Sequence, residues 1–513
     1  MHSALQIPEI LDQIISHLEK DDQKRCTPVC QLWSEVALDH IWRRIVYYSN
    51  LKKLSSAAKE INTERPASHT SNSPLTVKAL NRLKLKYYAR IRTLDLGYSG
   101  SWVVLRELMS NSGLTSTLFP NLQCLDCQDQ IFDEEFSILI LHSGIKSFSV
   151  WCSDGLSDIL HLTQTIQTRM PNLTSLSIFL HPHQEYAGPL ATLLENLTSL
   201  EHAEIPPFKD ISPILWSLSR ARKVQKLGVY MRYGRRVSRA AVDDTWSEED
   251  GPSLEELTVP VVKCETIIPL LLRLHLLRVL ELFVAQSSDR KCLFDALSHC
   301  PVLTKLSLTF TWEPRRLEFD DLHGILACRN LAEISLRSRF NLSDSDLAQM
   351  ALAWPWLQQL KLECLGQNGP DHTSLWAVFA FTRLCPHLAY LKLSIDTAPL
   401  DTPPFIASSL PTQAEIAQAA ALETLDFGYD PMRLGYDDEF VLAELLGKIL
   451  PPRCSLLWEF SSDYDEDRLE DQLEDDRAQI NRWLAVEKLF PRFAELYLKI
   501  NQLKKRLAVS QGG

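Results

Sequence analysis

The chain has 513 residues, 45% hydrophobic and 23% charged, and a formal net charge of −12 from 65 acidic and 53 basic side chains. It is too long for one ordinary hydrophobic core, so several domains or a repeat array are expected, and the acidic balance argues against a nucleic-acid backbone or an anionic membrane as the main partner. The most apolar window, 267–285, is broken by Arg273, His275, Arg278 and Glu281, which excludes a membrane span there.

The opening Met1-His2-Ser3-Ala4-Leu5 has no basic stretch leading into an apolar run, so no signal peptide is expected. Twelve cysteines without a secretory signal point to the reducing cytoplasm, the nucleus, or both. Pro8 and Glu9 then mark a helix start, and Ile10, Ile14 and Leu18 share one helical face. After the polar break 19–24 come Val29, Trp33, Val36 and Ala37, and Ile41, Trp42 and Ile45 close the segment. The pattern predicts three short helices, a bundle of about 40 residues that is marginal alone and needs a partner surface or a neighbouring domain.

The ordered set Ile7-Pro8-Glu9-Ile10, Ile14, Leu18, Val29-Cys30-Gln31-Leu32-Trp33 and Ile41-Trp42 resembles the F-box. That family's hallmark runs Leu-Pro-x-Glu-Ile/Leu, an Ile/Leu helix, Val-Cys-x-x-Trp and a late Leu-Trp. Two features depart from it: Gln23-Lys24 stand where leucines are usual, and Pro28 interrupts the second helix. The resemblance assigns 1–48 to the box. It implies that Ile7, Pro8, Glu9, Ile10, Ile14, Leu18, Val29, Cys30, Trp33 and Trp42 bind a Skp adaptor, and through it a cullin. The competing reading is a helical cap over the first repeat of an array.

Residues 49–88 read as a linker and N-terminal cap, with the polar, turn-rich stretch 62–74 as a hinge. From 89 to 430 the pattern Leu-x-x-Leu-x-Leu returns, with Ile, Val or Phe substituting. Its copies centre on Leu94, Leu125, Phe148, Leu176, Ala203, Leu227, Leu257, Leu280, Leu306, Ile334, Leu360, Leu391 and Leu425. The mean spacing of these 13 copies is about 28 residues, within the range of leucine-rich repeats. Period-two alternation inside each copy predicts a strand. Helical spacing between copies, as in Leu347, Met350 and Ala351, predicts helices, with Asp133, Asp154 and Ser343 as N-caps.

Three residues before the first apolar position of a copy stand Phe119, Met170, Cys300, Cys328, Trp354 and Cys385, and all but Cys328 are followed by proline. An apolar plug ends the helix and proline prevents its continuation. This looks like the cysteine-containing leucine-rich repeat common in F-box proteins. It implies an α/β fold, one curved solenoid with parallel strands inside and helices outside, preceded by the three-helix box. Because Phe, Met and Trp fill the same slot, these cysteines read as small buried hydrophobes and not as metal ligands. Cys124-x-x-Cys127 is a lone pair within a strand, and no metal or redox role is assigned to it.

Residues 232–252 read as an inserted loop, four arginines followed by five acids. Pairing within the loop is favoured over a phosphate-reading cluster. Residues 431–513 read as a C-terminal cap containing an acidic run, 463–476, that is taken as solvated. Trp483, Val486, Phe490, Phe493, Tyr497 and Ile500 form an amphipathic stripe, split by Pro491 into a helix pair docked on the last repeat. No Gly-rich phosphate loop, nucleophile elbow or zinc-protease motif occurs, and His181-Pro-His183 lacks a third ligand. A non-catalytic protein with no cofactor is expected.

Residues flanking the central leucine of each copy line the open face of the sheet. Trp151, Phe179, Tyr230 and Phe283 then occupy the last exposed slot of their copies, a candidate target-binding stripe, and Arg337, Lys361, Glu363 and Lys392 form a mixed-charge patch beyond it. The function expected is substrate recruitment in a Skp–cullin–F-box ubiquitin ligase. The alternative is a ligase-independent leucine-rich-repeat scaffold.

Overall fold

A computed structural model describes residues 3–46, 52, 87–97, 101, 103–106, 117–128, 134–152, 159–220, 223–230, 253–286, 289–311, 315–364, 375–393, 421–429, 439–459 and 470–511. The chain forms two compact units, Met1–Arg236 and Val237–Gly513.

The first unit opens with helices α1 (Pro8–Ser16), α2 (Lys20–Cys26) and α3 (Gln31–Trp42). Proline at the first position of α1 starts the helix without losing a needed donor, and Glu9 faces its positive end. The bundle core is Ile15, Cys26 and Ala37, with Leu18, Trp33 and Val36 packed on it. Gln23 is buried and its amide nitrogen donates to the carbonyls of Ile15 and Leu18, each at 3.0 Å, so the residue departing from the expected leucine ties off the end of α1. Pro28 lies in the turn after α2 has ended, where it interrupts nothing.

Seven parallel strands follow: β1 (Arg44–Ile45), β2 (Thr93–Asp95), β3 (Cys124–Gln128), β4 (Ser147–Trp151), β5 (Ser175–Phe179), β6 (His202–Ile205) and β7 (Lys226–Val229). Each pairs with the next, and the central residues lie in one row: Ile45, Leu94, Leu125, Phe148, Leu176, Ala203 and Leu227. The row is buried against the helices, and the alternate residues form the half-buried open face. Cys124 is half-buried on the open face, whereas Cys127 is buried beneath it, so the strand directs the two thiols to opposite sides. Asn121 and Asn172 tie successive turns together by donating to the carbonyls of Ala89 (2.7 Å) and Ser143 (3.2 Å).

In the second unit, β8 (Glu256–Lys263), β9 (Val279–Gln286) and β10 (Lys305–Phe310) begin the sheet, and β11 (Leu317–Glu318) pairs separately with β13 (Phe340–Asn341). The sheet continues through β12 (Glu333–Ser338), β14 (Gln359–Cys364), β15 (Tyr390–Leu393), β16 (Thr424–Tyr429) and β17 (Ser455–Glu459). The buried row is Leu257, Leu280, Leu306, Ile334, Leu360, Leu391, Leu425 and Leu456. All 13 copies read from the sequence are therefore strands, and β1 and β17 carry the sheets beyond 89 and 430. Helix α4 (Asp344–Ala353) starts at the expected cap, where the Ser343 hydroxyl accepts from the Asp346 backbone N–H and the Asp346 carboxylate reaches back to Ser343. Asp133 and Asp154 lie outside the described residues, as do 62–74 and 232–252.

The plugs carry more than apolar bulk. The thiols of Cys300 and Cys328 donate to the carbonyls of Leu271 (3.7 Å) and Leu297 (3.3 Å), each the last residue of the preceding repeat's helix. Trp354 donates its indole N–H to Ile325 (3.2 Å), and Cys385 reaches Ala351 (3.5 Å). Helix ends leave carbonyls without partners, and these donors supply some of them inside the buried core. Burial pushes the thiols up, Cys300 and Cys385 to about 12 and Cys328 to about 11.

At the C-terminus, α5 (Glu439–Ile449) packs on α6 (Glu470–Gln511). Helix α6 is continuous through Pro491, which corrects the expectation of a helix pair. An interior proline costs about 3 kcal/mol. The stripe Trp483, Val486, Phe490 and Ala494 is buried on both sides of it, at about 1.5–3 kcal/mol for each large side chain. Gly447 permits the close approach, since a Cβ there would lie 2.7 Å from that of Phe493. Arg482 bonds Glu439 at 2.9 Å and Tyr497 donates to Glu444 at 2.6 Å.

Candidate functional site

Helix α1 is apolar on two sides. Leu11 and Ile15 face inward with no exposed surface, while Ile7, Ile10 and Ile14 remain 44%, 36% and 38% exposed. Val29, at 49%, stands in the turn before α3. Pro8, Glu9 and Cys30 are also exposed. Burial is thus withheld from a set of isoleucines and a valine on a bundle too small to waste it. Leu18, Trp33 and Trp42 are half-buried. Leu18 and Trp33 pack on the bundle core, and Trp42 meets Tyr87 edge-to-face at 5.2 Å. These three support the helices that carry the exposed group.

The bundle is bonded directly to the first repeats. Arg43 O accepts from the backbone N–H of Arg92 and Thr93 at 2.9 and 3.0 Å, β1 pairs with β2, and the Arg90 guanidinium bonds the carboxylates of both Glu35 and Asp39.

On the open face of the first unit, Trp151 stacks on Phe179 at 4.0 Å with the planes 22° apart. Tyr230 meets both edge-on, at 4.5 Å from Phe179 and 5.5 Å from Trp151. The stripe is thus a cluster of three rings in mutual contact, each half-buried. Phe283 belongs to the second unit, in register between Pro260 and Thr309, and is half-buried.

In the row beside the rings stand Asp95, Asp126, Ser149, Ser177, Glu204 and Gly228. The side chains of Ser149 and Trp151 donate to Asp126, whose other oxygen Oδ1 is enclosed with no hydrogen-bond partner. Burial, and then the neighbouring Asp95, raise the Asp126 carboxyl above the ordinary carboxylate range despite those two bonds.

The second unit treats its open-face charges differently. Lys392 is buried, 3.6 Å from Glu363 and 3.4 Å from Asp426. Arg337 approaches Glu363 at 3.9 Å and Lys305 pairs with Glu333 at 2.7 Å. Asp426 further accepts from Tyr390 Oη (2.5 Å) and from the N–H of Gly428 (2.8 Å), whose φ of 75° favours glycine. Lys361 lies 5.1 Å from the centre of the Tyr390 ring. The four residues read as one patch are therefore close, but most of their charge is satisfied within the chain.

A family model described as F-box-like matches residues 8–48. The chain carries an F-box-like domain. It is followed by leucine-rich repeats, an assignment that rests on the strand register and repeat phase above. Among solved structures, an internalin from Listeria monocytogenes is similar at 13% identity and a TM-score of 0.35, over 81% of this chain and 92% of that one. The TLR13–ssRNA13 complex is similar at 14% and 0.36, over 76% and 55%. The leucine-rich repeat-containing protein LegL7 from Legionella pneumophila is similar at 14% and 0.28, over 71% and 93%. No curated protein sequence matches the chain.

In and just before the F-box-like domain, Ile7, Pro8, Glu9, Ile10, Ile14, Val29 and Cys30 are the sequence-predicted site residues at the surface. Helical spacing alone did not separate the Leu11–Ile15 stripe from the exposed one, because both are apolar. Asp95, Asp126 and Glu204 were missed as site residues, although each directly follows the central residue of its copy and that position was readable. Among the described residues, no helix is long and apolar enough to cross a membrane, and no group of three or more His, Cys, Asp or Glu residues could hold a metal ion.

Proposed function

We propose that this protein is the substrate-recognition subunit of a Skp–cullin–F-box ubiquitin ligase, working in the cytoplasm, the nucleus or both. The observation that carries this reading is the exposed group Ile7, Ile10, Ile14 and Val29 on an F-box-like bundle whose own core is complete without it. That surface would seat the Skp adaptor and through it the cullin, and the open face of the repeats would hold a target protein. The contribution to ubiquitin transfer is positional: it raises the effective concentration of target lysines near a conjugating enzyme and does no bond chemistry itself.

The test is a pull-down of the full chain with purified adaptor. Pro8→Ala/Ile10→Ala abolishes adaptor binding while the thermal melt stays within about 3 °C of wild type, since both residues are exposed. Ile15→Ala, by contrast, destabilises the box by about 2–5 kcal/mol. Undiminished adaptor binding by the double variant, or no binding by the intact protein, would sink the ligase reading and leave a ligase-independent repeat scaffold.

A further inference from the structure

The open face of the first unit combines three features not shared by the rest of the surface described above. Three aromatic rings are packed into one cluster, with Trp151 and Phe179 stacked and Tyr230 closing one side. The adjoining row carries three carboxylates, Asp95, Asp126 and Glu204, and among the described residues no lysine or arginine pairs with any of them. Its basic groups, Arg44, His202 and Lys226, stand one slot further back along β1, β6 and β7. Trp151 is stacked on Phe179 and its side chain interacts with Asp126, so the largest ring sits beside a carboxylate.

We propose that this face docks a basic segment of the target protein, with an arginine side chain seated on the aromatic cluster and the neighbouring carboxylates supplying the opposite charge. The proposal rests on the reading that the open face of the repeats holds the target. Ring faces carry negative potential and attract cations, most strongly for tryptophan. A guanidinium is flat, weakly hydrated and able to stack on a ring while its N–H groups reach carboxylates, which a lysine ammonium does less well. The carboxylates flank the rings in the sheet: Asp95 and Asp126 lie on β2 and β3, before Trp151, and Glu204 lies on β6, between Phe179 and Tyr230. From β2 to β7 the row spans roughly 24 Å at the usual strand separation, the length of an extended segment of about seven residues. An acidic segment would meet three carboxylates there, and a purely apolar one would bury charges without compensating them.

The experiment pans a random library of 12-residue displayed peptides against the full chain, with the Trp151→Ala protein as counter-selection. Synthetic versions of the selected peptides are then titrated against wild type, Trp151→Ala and Glu204→Gln. The expected result is enrichment of arginine, with lysine second. Affinity falls at least tenfold in Trp151→Ala and severalfold in Glu204→Gln, a change at a half-buried position that keeps the side chain's size and removes its charge. It also falls when the peptide arginine is replaced by glutamine and when salt is raised. A pool enriched in acidic or only apolar residues, peptides that bind both variants as well as wild type, or no enrichment at all would overturn the proposal. Adaptor pull-down run on the same proteins stays at the wild-type level. Its loss in wild type would overturn the ligase reading and leave the peptide result standing.

Discussion

The open faces of the two units are built from the same slots of the same repeat and use them in opposite ways. In the second unit, Arg337, Glu363, Lys392 and Asp426 form a chain of opposite charges running across β12 to β16, and Lys305 and Glu333 form another pair. In the first unit, Asp95, Asp126 and Glu204 stand beside aromatic rings with no such partners among the described residues. A charge satisfied within the chain contributes to holding the fold, and little of it is left for a visitor. A carboxylate without a cation costs stability and is compensated when a cation arrives. The contrast separates a face that stabilises repeats from a face suited to recognition.

The largest effect expected from breaking this contrast is at Lys392. Replacing it by methionine keeps the bulk but leaves Glu363 and the buried Asp426 without their shared cation, and losing one member of a buried pair costs about 3–5 kcal/mol. Urea unfolding of the full chain measures it, with the loss confined to the transition of the second unit. A variant as stable as wild type would show that the charges in this face are no more committed than those of the first unit.

Thiol labelling sharpens the comparison, because the plugs named in the first unit are Phe119 and Met170, whereas those of the second include Cys300, Cys328 and Cys385. A plug thiol at about 12 is overwhelmingly protonated at pH 8, and the plug side chains are all but inaccessible. A soluble thiol reagent at that pH should modify exposed Cys30 at least a hundredfold faster than the three plugs. In the Lys392→Met protein, Cys385 labelling should accelerate more than that of Cys300. Equal rates for Cys30 and the plugs in wild type would contradict the packing described.

The smallest effect is at Asp126. Its carboxyl is raised in the folded state, so the native protein binds the proton more tightly than the unfolded chain. The stability this contributes is complete below the unfolded value and is lost as pH rises through the folded value. Asp126→Asn should therefore raise Tm at pH 7 by at most about 2 °C, and the gain should shrink toward pH 4. A lowered Tm at pH 7 would mean that the bonds from Ser149 and Trp151 outweigh burial and Asp95.

The thirteen strands were legible because Leu-x-x-Leu-x-Leu encodes both the period and the buried side. β1 and β17 were not, since Arg44–Ile45 is too short for a period and the first apolar position of the last copy, three residues before Leu456, is taken by Arg453. Pro491 misled for a different reason: a proline's local penalty is visible in sequence, while the packing of α6 on α5 that offsets it is not. At the open faces the residues were readable but their partners were not. Whether Lys392 is offered or buried depends on Asp426, 34 positions away in sequence and one strand away in space.

The junction at β1 sets a limit on reach. Arg44 and Ile45 already form a rung of the same sheet that carries the aromatic cluster, so the helical bundle and the ring platform are joined through one continuous ladder. Whatever grips the bundle fixes the distance and heading of anything held on the rings. On the function proposed above, only lysines inside a narrow zone of the held protein would then come within range of a conjugating enzyme, and flexibility in the held protein, or in the machinery beyond the bundle, would decide how many are modified.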